Sequence, residues 1–145
     1  MELIRRGHRL VADDVVLLHA DAEGRPVGES PELVRHFVEL RGIGIVNVPS
    51  LFGLDSVAEQ TCIQLVVRLS AWGEAEIERT GLESRTHRLE SFEVAAIELP
   101  VAPGRNLATL VEVAARSHKL RQSGEIGAVM LENRVFASLG QEPSK

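Results

Sequence analysis

Residues 86–121, THRLESFEVAAIELPVAPGRNLATLVEVAARSHKLR, carry strand and helix signals back to back, and their order decides the fold class. Segment 86–101 reads as two strands around a turn near Ser91. Pro100, Pro103 and Gly104 then impose an extended loop, since proline cannot continue a ladder and glycine tolerates left-handed backbone. From about Asn106 to Arg121 the period changes. Leu107, Leu110, Val111, Ala114 and His118 recur at spacings of three, four and seven, which place them on one helical face.

Upstream, TCIQLVVRLS (61–70) reads as one strand, with Ile63, Leu65, Val67 and Leu69 on one face by period-two alternation. GIGIVNV (42–48) reads as another. SPELVRHFVELRG (30–42) predicts a short helix opened by Ser30, with Pro31 in its first turn. HRLVADDVVLLHA (8–20) predicts a buried strand interrupted by Asp13 and Asp14, and DAEGRPVG (21–28) a turn into a short neighbour. Met1–Arg6 predicts the last turns of a helix closed by Gly7. Downstream, IGAVMLENRVFASL (126–139) predicts a second helix ending at Gly140, followed by a frayed QEPSK. Many strands and few helices give an α/β or α+β class. No repeat, low-complexity tract or linker divides the sequence.

The 145 residues suffice for one domain with a core, and a hydrophobic fraction of 44% is ordinary for a globular chain. A formal charge of −5 argues against a general nucleic-acid binder. The single cysteine, Cys62, can form no internal disulfide. No signal-peptide pattern and no apolar run of membrane-spanning length is present, so a cytoplasmic protein that does not engage the membrane is expected.

Three groups of residues could carry chemistry. Asp13 and Asp14 sit among apolar residues, where an unpartnered carboxylate is costly. On a strand their side chains point to opposite faces, so at most one would reach a given site, as general base or metal ligand. Glu39, Arg41, Gly42 and Gly44 form the second group; its glycines suit close backbone approach or merely an edge turn. The third is Pro100, Val101, Ala102, Pro103, Gly104 and Arg105. A loop entering a helix leaves free amides that favour an anion, and Arg105 could add a bidentate phosphate contact. Asn106 simply capping the helix is the equal alternative. His8, His19, His36, His87 and His118 show no metal-ligand spacing, His118 reads as a satisfied histidine at the helix–core face, and Cys62 and Trp72 read as an inert thiol and a packing residue.

In sequence order, ELIRRGHRLVADDVV (2–16), PELVRHFVELRGIGIVNVPSLFG (31–53), IERTGLE (77–83) and PVAPGRNLATLVEVAARSHKLR (100–121) resemble HPr kinase/phosphorylase. The resemblance implies a P-loop kinase-type α/β catalytic domain, related to phosphoenolpyruvate carboxykinases and assembled as a homohexamer. It covers residues 1–123, with 124–145 as a C-terminal helix and tail. It further implies ATP as substrate, Mg²⁺ as cofactor and the phosphocarrier protein HPr as partner. Asp14 matches the residue that takes the proton of a serine hydroxyl on HPr and returns it when phosphate attacks phosphoserine. Glu39 matches a magnesium-binding glutamate, Arg79 an active-site arginine, and Pro100–Arg105 a loop associated with phosphorolysis.

The sequence departs from the family at several points. It contains no G-x-x-x-x-G-K-[ST] loop to hold nucleotide phosphates, and neither Lys119 nor Lys145 follows a suitable glycine loop. The expected domain is therefore one without its first strand and P-loop. Ala58 and Ala102 stand where related sequences often carry arginine, and the tail after Ser123 resembles the family poorly. A non-catalytic remnant that keeps an oligomeric scaffold and an HPr-binding surface is the alternative, and a small phosphate-binding domain is a third.

Overall fold

The computed structural model describes residues 1–71 and 85–138. Trp72, Arg79, the IERTGLE segment, Gly140 and the QEPSK tail lie outside the described residues. Contacts group into two compact units, residues 1–64 with 88–94 and residues 65–87 with 95–145. Both are discontinuous in sequence, which is why no change in composition marks a boundary.

The first unit opens with α1 (Glu2–Arg5), followed by Gly7 at φ 91°, as the helix-ending glycine predicted. Strands β1 (Leu17–Ala20) and β2 (Pro26–Glu29) form an antiparallel hairpin, and β5 (Gln60–Cys62) extends it on the far side of β2. The turn between β1 and β2 is built on Asp21. Its Oδ1 accepts the amides of Glu23 (3.1 Å) and Arg25 (2.7 Å), while Oδ2 accepts the Arg25 guanidinium Nε at 2.7 Å. Gly28 in β2 has no room for a side chain, since an added Cβ would lie 2.9 Å from Val16 Cγ1 and 3.0 Å from Ile63 Cδ1. A second antiparallel hairpin joins β3 (Phe37–Leu40) to β4 (Gly44–Asn47). Asn47 then caps α2 (Val48–Phe52), its Oδ1 accepting the Ser50 amide at 3.0 Å. Val27, Val38, Val94 and the fully buried Val48 form the apolar centre.

In the second unit β6 (Leu65–Ala71) runs parallel to β8, pairing Leu65 with Ala95 through Ala71 with Val101. β7 (Arg85–Leu89) lies on the other side of β8 (Phe92–Val101), and the two are joined through Glu90 at φ 52° and Ser91, where the turn was expected; residues 88–94 around this turn are grouped with the first unit. Helix α3 (Leu107–Gln122) packs against β6 and buries Ala114, while Leu107, Leu110, Val111 and His118 stay half-buried on the same face. His118 Nε2 meets Gln122 Nε2 at 3.0 Å, so the histidine is partnered as predicted. Helix α4 spans Gly127–Ser138. The class is mixed α/β.

Three expectations fail on local grounds. In 8–20 only Leu17–Ala20 is strand; Leu10 makes a single bridge to Val57, and Asp13 and Asp14 lie exposed in a bend. Two adjacent carboxylates are too costly to desolvate inside a strand, so the chain turns to leave both in water. In 30–42 the helix shrinks to a 3-10 turn at Glu32–Val34, and Phe37–Leu40 is strand. The path is already extended at Arg35 (ψ 131°), and His36 at φ 71° redirects it into a segment whose aromatic and β-branched residues favour a pleat. The strand over 61–70 is two strands, interrupted where the Ile63 amide turns to the Pro26 carbonyl at 2.8 Å, and Leu69 is 54% exposed.

Candidate active site

The candidate site begins with the β3–β4 hairpin. Leu40–Ile43 forms its turn, with the Ile43 amide donating to the Leu40 carbonyl at 2.9 Å and Gly42 at φ 83°. Positive φ at the third turn position is the conformation glycine adopts without strain. No atom approaches the place where a Cβ of Gly42 or Gly44 would stand, so these glycines serve backbone shape and not close approach. Arg41 is exposed in the same turn and does not line the cleft below.

Glu39 pairs with Ile45 across the hairpin. Its own amide donates outward, to Asp13 Oδ2 at 3.0 Å, across 26 positions of sequence. That bond joins the 13–14 bend to β3. A cleft of about 240 Å³ results, lined by the three acidic residues Asp13, Asp14 and Glu39 and, for the most part, by apolar surface of Val15, Val34, Phe37, Val38 and Ile45. The expectation that at most one of Asp13 and Asp14 could face a site is thereby corrected. It assumed strand alternation, and in a bend both line the same cleft. Acidic groups beside low-dielectric walls concentrate negative potential and attract a cation or a hydroxyl proton. No group of three or more His, Cys, Asp or Glu among the described residues is placed to hold a metal by itself.

The Pro100–Arg105 segment belongs to the second unit. Pro100 and Val101 end β8, and Ala102–Arg105 form the loop into α3. Gly104 sits at φ 82°, the Arg105 amide donates to the Ala102 carbonyl at 3.2 Å, and the Arg105 guanidinium Nη1 donates to the Pro100 carbonyl at 2.9 Å. Asn106 caps the helix, its Oδ1 accepting the Thr109 amide at 3.0 Å. The capping expected of Asn106 is therefore present, and it occupies the Thr109 amide. Arg79 lies outside the described residues.

Sequence reading missed the apolar walls of the cleft. Phe37 and Glu39 alternate on one strand, with Ile45 opposite, but that signal is visible only once 37–47 is read as a hairpin.

The family model of the HPr serine kinase C-terminal domain matches residues 1–135. The HPr kinase/phosphorylase of Caldanaerobacter subterraneus subsp. tengcongensis is 43% identical over 141 residues, covering 97% of this chain and 46% of that protein. That of Chlorobium phaeobacteroides is 38% identical over 144 residues, covering 98% of this chain and 42% of its relative. The chain therefore spans less than half the length of these curated relatives. The solved structure of the HPr(Ser) kinase/phosphatase from Coxiella burnetii superposes with a TM-score of 0.78 at 36% identity, over 85% of this chain and 75% of that one. By sequence over nearly its whole length and by fold, this chain belongs to the HPr serine kinase C-terminal domain family.

Proposed function

We propose that the chain contributes the phosphoryl-transfer site of a cytoplasmic serine kinase and phosphorylase acting on HPr. The observation that carries this reading is the cleft that both Asp14 and Glu39 line, in a chain of this family. Asp14 is exposed, and in this reading it accepts the serine proton as the oxygen attacks the terminal phosphoryl group of ATP. ADP leaves and phosphoserine forms. In the reverse sense an oxygen of inorganic phosphate attacks phosphoserine, pyrophosphate forms, and Asp14 returns a proton to the serine oxygen. A positioned base of this kind contributes roughly 10²–10⁴-fold in rate.

Glu39 would hold Mg²⁺, which supplies charge neutralisation to the phosphate oxygens. The residues present suit that ion. Magnesium is ordinarily bound by one or two carboxylates together with waters and substrate phosphates, so a protein cage of three or more ligands is not required. Arg79 would stabilise charge on the transferring group, and Pro100–Arg105 would serve phosphorolysis. A homohexamer goes with the same reading.

A second reading has one observation in its favour. No G-x-x-x-x-G-K-[ST] segment occurs in these 145 residues, so a scaffold that binds HPr without transferring phosphate is the alternative. Transfer of phosphate from ATP–Mg²⁺ to purified HPr, measured beside nucleotide binding, separates the two. The enzyme reading predicts transfer that Asp14→Asn abolishes; binding of HPr with neither transfer nor nucleotide binding favours the scaffold.

A further inference from the structure

We infer that Asp13 is a positioning residue, whose carboxylate fixes the main chain of Glu39 and so sets where the Glu39 side chain stands relative to Asp14. This rests on the proposed role of Glu39, and it assigns Asp13 neither proton transfer nor metal binding.

Among the described residues the hairpin has two strands, so each of them has one side without a ladder. Consecutive residues of an antiparallel strand send their amides alternately inward and outward. The Glu39 amide goes outward, and Asp13 Oδ2 takes it at 3.0 Å, as a neighbouring strand's carbonyl would. An ionised acceptor makes this stronger than a neutral backbone bond. The bond ties a bend to a strand 26 residues away, so it locks two pieces that the covalent chain does not hold together. Asp14 follows Asp13 directly, and Glu39 carries the bonded amide; this one contact therefore ties together the main chain of both residues that line the cleft.

The acceptor can be an amide oxygen as well as a carboxylate. Asparagine at position 13 keeps an acceptor of nearly the same reach, whereas a base or metal ligand needs the charge. Asp13→Asn and Asp13→Ala consequently separate the roles. The chain would be studied by amide hydrogen exchange at Glu39, read by NMR, together with Mn²⁺ affinity read by EPR. For Asp13→Ala we expect Glu39 exchange to quicken by about tenfold or more, as for loss of a charge-assisted bond. Its Mn²⁺ affinity should fall by about tenfold, the lower range for loss of a group that orients a ligand. Asp13→Asn should stay close to the parent in both.

Unchanged Glu39 exchange in Asp13→Ala overturns the inference, because the bond would then hold nothing. Loss of Mn²⁺ affinity in Asp13→Asn as large as in Asp13→Ala, with Glu39 exchange preserved, also overturns it and makes Asp13 a ligand. Should the parent chain bind no Mn²⁺, the metal role of Glu39 fails on its own. The exchange result still decides whether Asp13 positions Glu39.

Discussion

Asp21 and Asn106 show how much single polar side chains contribute here. The Arg25 amide, and then its guanidinium, hold the Asp21 carboxyl below the usual carboxylate range. A carboxyl depressed in the folded state adds stability above its unfolded value and loses it as pH falls through the folded one. Urea unfolding at neutral and at acid pH should therefore show a steeper acid loss for the parent than for Asp21→Asn, which keeps an acceptor but no titration. Asn106→Ala removes the acceptor of the Thr109 amide and should cost about 1 kcal/mol in the same assay. Asn106 was legible in sequence, because a capping residue sits beside the segment it caps. Asp13 was not. Its partner is 26 residues away, and no local pattern announces that a bend will satisfy the free amide of a distant strand.

Among the elements, α3 and the β7–β8 turn followed directly from periodicity and turn chemistry, since both are decided by neighbours in sequence. The β3–β4 hairpin did not. Ser30, Pro31 and Glu32 look like a helix start, but a helix has to continue to be worth nucleating; only a 3-10 turn at Glu32–Val34 forms, between extended Pro31 (ψ 138°) and extended Arg35 (ψ 131°). The site's walls were hidden by that same misreading, because Phe37 and Ile45 meet around Glu39 only in a hairpin register. Glycine substitutions test these elements. Gly42→Ala should destabilise by about 1–2 kcal/mol, the cost of left-handed backbone for a residue with a Cβ. Gly28→Ala should cost about 1–3 kcal/mol for a different reason, overpacking against Val16 and Ile63. Combining either with chemical denaturation at fixed pH measures these costs directly.

At the scale of the whole molecule, the mixed α/β class could be read from the alternation of strand and helix patterns, and the family from four ordered segments spread between Glu2 and Arg121. The division into two units could not, since each is assembled from separated stretches. No helix among the described residues is long and apolar enough to cross a membrane. The proposed function turns on Asp14 as the proton acceptor in phosphoryl transfer. Its most direct test is the rate of phosphate transfer from ATP–Mg²⁺ to the serine of HPr by the parent chain and by Asp14→Asn. The account predicts measurable transfer by the parent and a fall of about 10²–10⁴-fold in the variant. Transfer that survives Asp14→Asn undiminished, or a parent that transfers nothing, would contradict it.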